Sequence, residues 1–355
     1  MKSTTGAHYP GLDHLRALAA LLVVSWHFMH GPNGYPTPFN YVPAIFPLAL
    51  FDEGHVGVAL FMTLSGYIFA KLLDGKRIIF SAFIWNRCLR LLPLLFVLLI
   101  VLGLRRLYLG DDFKEYIFNL GKGIILPTLP NGAWSITVEF HFYLLLPLLL
   151  WLFRQSTSAP LALIAAAVAF RTFLYFKGFD VEPLSYSTII GRIDQFAFGM
   201  LAFKKSHLVC GRHVLVSAVF IVFCGIYTAF DKAGGLWMPK FPSKAGFWII
   251  LPTIEAITFG IIIAWYDNSF KWENSKISRF VEKIGEYSYS IYLLHFSLVF
   301  RASKFVDENI MSLANFYVSL SWSIIFFLCM IPLAYISYNF LELPFMKYRK
   351  SYTRT

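Results

Sequence analysis

Apolar blocks about 20 residues long recur along nearly the whole chain. That is the length at which an α-helix crosses a bilayer. Only 14% of the 355 residues are charged, while 57% are hydrophobic, against roughly 25% charged in soluble domains. The deficit of charge excludes an ordinary soluble enzyme, and the apolar content excludes disorder. The chain reads as an all-α polytopic membrane protein, a single bundle of about ten transmembrane helices in one domain over residues 1–355.

The spans fall at about 12–30, 55–73, 83–104, 134–152, 159–176, 187–203, 213–230, 247–265, 284–301 and 316–341. Spans three and ten have room to extend as tilted or interfacial helix. The first apolar run carries Asp13 and Arg16, so it reads as a retained span and not a cleavable leader. With the N-terminus in the cytoplasm, 18 of the 31 basic residues lie inside, 10 outside and 3 within spans. That split favours both termini in the cytoplasm. It also accounts for the formal charge of +11 without nucleic acid, since the basic residues form no continuous stripe. Cys88, Cys210, Cys224 and Cys329 show no disulfide or zinc spacing, and no metal is expected. The segments 31–54 and 105–133 are the longest loops and would lie outside, with no soluble domain appended. No internal repeat is visible, which disfavours a transporter of duplicated halves.

Ionisable groups inside spans are costly and face a cavity or a partner, so they lead to function. Arg16 and His27 lie eleven residues apart in span one. At 100° per residue their directions differ by only about 20°, with a rise of about 16 Å. Asp13 lies on the same side. In span four, Ser135, Glu139 and Tyr143 share a face at i, i+4, i+8. Helix rise puts His27 and Glu139 at matching depths, about 22 Å up a core of about 30 Å, so a His27–Glu139 contact is geometrically open. Arg87 and Arg90 form a same-side pair at the start of span three. They read either as positive-inside snorkelling anchors or as a phosphate clamp.

Other polar positions have a structural alternative. Ser65 and Gly66 in span two read as helix packing. Arg192 and Asp194 in span six read equally as an ion pair to another helix or as substrate ligands. Ser288, Tyr292 and His295 share a face of span nine, where interhelical hydrogen bonding is the plainer account. Glu342, closing span ten, is placed to balance Arg87 or Arg90. Glu255 has no assigned role, and His30 reads as a decoy at the outer interface.

Six motifs together resemble acyltransferase family 3, integral-membrane enzymes that O-acylate glycans. They are Leu-Asp-x-Leu-Arg16 with His27; Gly57-Val with Phe61 and Leu64-Ser-Gly66; Arg87-x-x-Arg90; Trp134-Ser with Glu139 and Tyr143; Ser288-Tyr-Ser-Ile-Tyr292 with His295; and Glu342-x-Pro344. They keep the family's order across roughly the whole chain. Phe140-His141 departs from the acidic residue and glutamine of many members. The resemblance implies transfer of an acyl group, usually acetyl, from cytosolic acyl-CoA to a hydroxyl of an envelope glycan. Lipopolysaccharide O-antigen, exopolysaccharide, peptidoglycan and lipid-linked oligosaccharide are typical acceptors. It implies a location in a bacterial inner membrane and functional roles for Arg16, His27, Arg87, Arg90, Trp134 and Glu139.

On that reading Arg87, Arg90 and Arg16 hold the donor's phosphates and His27 is the general base. Glu139 orients His27, and an acyl-histidine order of steps stays open. The rival classes are a transporter or flippase for an anionic or glycan-linked substrate, and a histidine-dependent membrane acyltransferase of another fold. The second leaves Arg87-x-x-Arg90 unexplained.

Overall fold

The computed structural model describes residues 8–31, 34–156, 158–236, 245–270 and 275–354. Its helices are α1 (Pro10–Met29), α2 (Ala49–Asp52), α3 (Val56–Leu73), α4 (Phe80–Leu109) and α5 (Phe113–Lys122). They continue as α6 (Trp134–Gln155), α7 (Ser158–Phe176), α8 (Val181–Ser187), α9 (Ile189–Lys204) and α10 (His213–Lys232). The last are α11 (Leu251–Ser269), α12 (Lys276–Glu286), α13 (Ser288–Asn309), α14 (Phe316–Ser337) and α15 (Leu343–Met346). A π-helical turn, Tyr338–Glu342, joins α14 to α15. Two short strands, β1 (Arg77–Ile78) and β2 (Thr353–Arg354), pair antiparallel.

Each of the ten expected spans coincides with a helix. Among the described residues, six helices are long and apolar enough to cross a membrane: α3, α4, α6, α7, α10 and the run from α14 through α15. The other four, α1, α9, α11 and α13, are shorter or carry the buried polar groups. The expected loop 105–133 is partly helical. α4 runs on to Leu109 and stops at Gly110, whose φ of 76° is left-handed. There the Asp112 carboxylate caps α5 by accepting from the backbone of Lys114 and Glu115. Phe96, Ile100 and Leu104 of α4 are exposed at i, i+4 spacing, as a lipid-facing stripe requires.

α1 runs through the middle of the bundle against α3, α12, α13 and α14. α3 in turn packs closely on α9, and two glycines make this approach possible. A Cβ on Gly66 would sit 2.1 Å from the Phe196 carbonyl oxygen, and one on Gly199 would sit 2.1 Å from that of Thr63. The two backbones touch, as small residues allow in membrane bundles. Phe142 of α6 then stacks on Phe196 of α9, ring centroids 3.9 Å apart. Gly66→Ala should therefore lower stability by about 1–3 kcal/mol, the usual cost of overpacking. Thermal unfolding in detergent reads this as a lower midpoint, and an unchanged midpoint would contradict the contact.

Candidate active site

Two groups of polar side chains stand along α1, one at each end of the interval from Arg16 to His27. The first surrounds a cavity of about 150 Å³. Arg16, Arg87, Arg90 and Arg349 line it, with Asp13 and Glu139 the carboxylates among its lining residues. Asp13 accepts from Arg16 at 2.7 Å, as expected for residues one helical turn apart. Glu139 accepts a short hydrogen bond from the Tyr143 hydroxyl one turn further along α6. The Arg87 guanidinium lies over the rings of Phe69 and Phe83, 5.3 and 5.6 Å from their centroids, and its buried Nε has no hydrogen-bond partner. With Glu342 acting on Arg90 from beyond the lining, four cations face three carboxylates, and the positive excess favours a polyanionic ligand.

Arg349 belongs to none of the sequence motifs. Its placement depends on a fold-back of the C-terminal segment. Asn86 of α4 donates to the Lys350 carbonyl at 2.7 Å and accepts from the Lys350 N–H at 2.9 Å. The Ile79 N–H bonds the Tyr352 carbonyl at 2.8 Å, and β1 pairs with β2. These contacts carry Arg349 and Tyr352 to the cavity wall. Burial, and next the positive charges of Arg90 and Arg87, draw the Arg349 pKa below the ordinary arginine value. The repulsion records how closely these cations are gathered.

The second group centres on His27. Its Nδ1 lies 2.9 Å from the Val23 carbonyl and 3.4 Å from His295 Nε2. His295 Nδ1 lies 2.6 Å from the Tyr292 carbonyl. A carbonyl can only accept, so both imidazoles carry their proton on Nδ1. His295 Nε2 then accepts from His27, and His27 Nε2 keeps its lone pair. The rings of Trp26, Phe296 and Phe300 surround His27 with centroids 4.7, 5.2 and 6.1 Å away.

The open His27–Glu139 pairing does not form. Counting rise from assumed span ends misjudged the relative depth of the two helices: Glu139 lies in the cavity with Arg16, and α13 supplies the partner of His27. Its His295 meets His27, while its Tyr292 accepts from Ser135 of α6 at 2.7 Å. Tyr292 and Ser135 both line the cavity, and the Tyr292 ring lies 5.7 Å from that of His295. This hydrogen-bonded pair therefore borders the arginine cavity on the side of the histidines. Ser288 lines the cavity too. Glu342 accepts a short bond from Ser290 and is within electrostatic reach of Arg90.

The remaining positions form a wall away from the cavity. The Trp134 ring lies 5.0 Å from Tyr186, over which Arg192 sits at 4.6 Å. Arg192 pairs with Glu255 at 3.4 Å, giving Glu255 a partner, and Gln195 and Tyr227 also donate to Glu255. Arg171 of α7 pairs with Asp194 at 2.8 Å, both fully buried, and donates to the Gly191 carbonyl and Thr253. For Arg192 and Asp194 the interhelical ion pair is thus the contact made.

The apolar helices, with buried charge turned to a cavity, are those of an integral membrane protein. Residues 9–339 match the acyltransferase-domain family, acyltransferase 3, and the chain belongs to that family. It is similar to the peptidoglycan O-acetyltransferase OatA of Listeria monocytogenes, 23% identical over 98% of this chain and 58% of that protein. SACOL0978 of Staphylococcus aureus is 26% identical over 96% of this chain and 58% of its own length. YrhL of Bacillus subtilis is 24% identical over 95% and 55%. The chain thus spans somewhat over half the length of the curated relatives it matches. No solved structure matches it.

Asp194→Ala would leave Arg171 charged and unpaired in the interior. It should cost about 3–5 kcal/mol, as breaking a buried pair does, and appear as loss of monodisperse protein on size exclusion. A variant as stable as the wild type would remove the pair from the fold's supports.

Proposed function

We propose that this chain is a membrane O-acetyltransferase that moves an acetyl group from acetyl-CoA to a hydroxyl of a cell-envelope glycan. The observation that carries the reading is the pairing of a four-arginine cavity with a lone-pair-bearing His27 Nε2 about 16 Å further along the same helix. A phosphate-rich head with a long, thin arm ending in a thioester suits that separation. Arg16, Arg87, Arg90 and Arg349 hold the phosphates by charge-assisted hydrogen bonds. The arm passes the Ser135–Tyr292 hydrogen bond to reach the histidines. Family membership and the activity named for OatA support the transfer chemistry, and peptidoglycan is the acceptor named for that relative. The arginine cavity opens to the cytoplasm of a bacterial inner membrane in the orientation that the loop charges favour.

In the step itself, His27 Nε2 takes the proton of the sugar hydroxyl as its oxygen attacks the thioester carbon. A C–O bond forms, the C–S bond breaks, and the departing CoA thiolate recovers the proton from the imidazolium. His295 Nε2, accepting from His27 Nδ1–H, orients the base and steadies its positive charge, the part an acid plays in a catalytic triad. Glu139 sets the charge balance of the arginine cavity and positions Tyr143.

The test is ester-linked acetate on isolated envelope glycan, peptidoglycan first, from cells expressing wild type or His27→Ala at matched membrane levels. Acetate should appear with the wild type and fall by about 100-fold or more with the variant, the usual contribution of a general base. Equal acetate in both would remove His27 from the reaction. Absence of ester from every envelope glycan of the native host would favour the transporter reading. Arg349→Ala should raise the KM for acetyl-CoA by about tenfold, the worth of one hydrogen bond to a charged group, with kcat little changed. A fall in kcat at constant KM would place Arg349 elsewhere in the cycle.

A further inference from the structure

Beyond the histidine pair, where α1 ends, the structure buries a group of acids that the reaction above does not use. Asp52 closes α2, Glu53 follows it, and Asp231 lies in the last turn of α10. One carboxylate oxygen from each lies within 4.8 Å of the others, and all three residues are buried. Two are braced from outside the cluster. His30 Nε2 meets Asp52 Oδ1 at 3.1 Å while its Nδ1 is tied to the Thr37 carbonyl. His55 Nε2 meets Glu53 Oε2 at 2.9 Å, and the Leu236 N–H also donates to that oxygen. Glu53 rests in a cradle only glycine can leave open, since a Cβ on Gly235 would lie 1.6 Å from Glu53 Oε1.

Asp231 is the residue left over. It is 2% exposed, and neither of its carboxylate oxygens has a hydrogen-bond partner. His30 meets Asp52 and His55 meets Glu53, while neither oxygen of Asp231 is met in this way. Lys232 acts on Asp231 through space, but it is exposed and water screens its charge. An isolated buried carboxylate is expensive, and Asp231 faces Asp52, acid against acid. The two must share a proton or a cation.

We propose that Asp52, Glu53 and Asp231 form a binding site for one hard divalent cation of the Ca²⁺ class. A cation held 2.3–2.6 Å from each ligand oxygen accommodates oxygens up to about 5 Å apart, and Ca²⁺ prefers carboxylate and carbonyl oxygens. His30 and His55 stand behind the carboxylates as hydrogen-bonding braces, as outer-shell groups do around metals. Sequence gave no hint of this site, because its members lie nearly 180 positions apart and match no metal spacing. The cation ties α10 to the segment between α1 and α3. His30 follows α1 by one residue, and the Trp26 ring touches both His27 and His55. The site therefore clamps the end of α1 that bears His27.

The experiment uses the full chain in detergent, stripped with chelator and dialysed against Ca²⁺ alone, with bound metal and unfolding temperature measured. The wild type should retain about one Ca²⁺ per chain and unfold at a higher temperature with Ca²⁺ than with chelator. Asp231→Asn removes the charge at nearly constant shape. It should unfold in chelator at or above the wild-type temperature, yet bind Ca²⁺ at least about tenfold more weakly and lose the Ca²⁺-dependent rise. His30→Gln should weaken Ca²⁺ binding by about 10–100-fold. A wild type that neither retains Ca²⁺ nor responds to it would overturn the proposal in favour of a shared proton, and this arm decides even if Asp231→Asn does not fold. An unaltered Ca²⁺ response in a folded Asp231→Asn would also overturn it. So would preference for Zn²⁺ over Ca²⁺ at equal concentrations, which would make the imidazoles ligands instead of braces.

Discussion

A charge enclosed by an apolar bundle must have a counter-charge or a cavity within reach, and the arrangement of this protein follows from how each buried charge meets that demand. Arg171 and Asp194 neutralise one another and lock α7 to α9. Arg192 and Glu255 do the same between α9 and α11. Arg16, Arg87, Arg90 and Arg349 instead line one shared space, with Asp13 and Glu139 the carboxylates in its wall. Residues of one type thus divide into those that hold helices together and those that hold an open cationic chamber.

Much of this was legible from the chain. Helix positions followed from apolar blocks, because length and hydropathy along one dimension decide where a span can lie. The direction of Arg16 relative to His27 followed from helical periodicity, since both sit on one rigid element. What periodicity along single helices could not supply was the choice of neighbours. Glu139 was expected at the depth of His27, yet it lies in the cavity with Arg16, and His295 of α13 is the contact His27 makes. Glu255 looked unpartnered until α9 and α11 were brought side by side. Arg349 was out of reach of sequence reasoning because its position is set by a pair of hydrogen bonds to Asn86 from a segment with no regular pattern.

The histidine pair illustrates how backbone geometry can set side-chain chemistry. Each Nδ1 faces a carbonyl of its own helix, Val23 for His27 and Tyr292 for His295. The helical backbone thereby selects the tautomer of both rings and leaves one outward-facing lone pair at the end of the chain of hydrogen bonds. The orientation of both rings thus comes from these carbonyls, and Glu139 lies in the cationic cavity instead.

The fold-back of the C-terminal segment has a geometric consequence. Lys350 and Tyr352 are clipped to the beginning of α4 through Asn86 and Ile79, within reach of the helix that presents Arg87 and Arg90. Asn86 and Arg87 are consecutive residues, as are Arg349 and Lys350, so the two Asn86–Lys350 hydrogen bonds set the spacing of two guanidinium groups across the chamber.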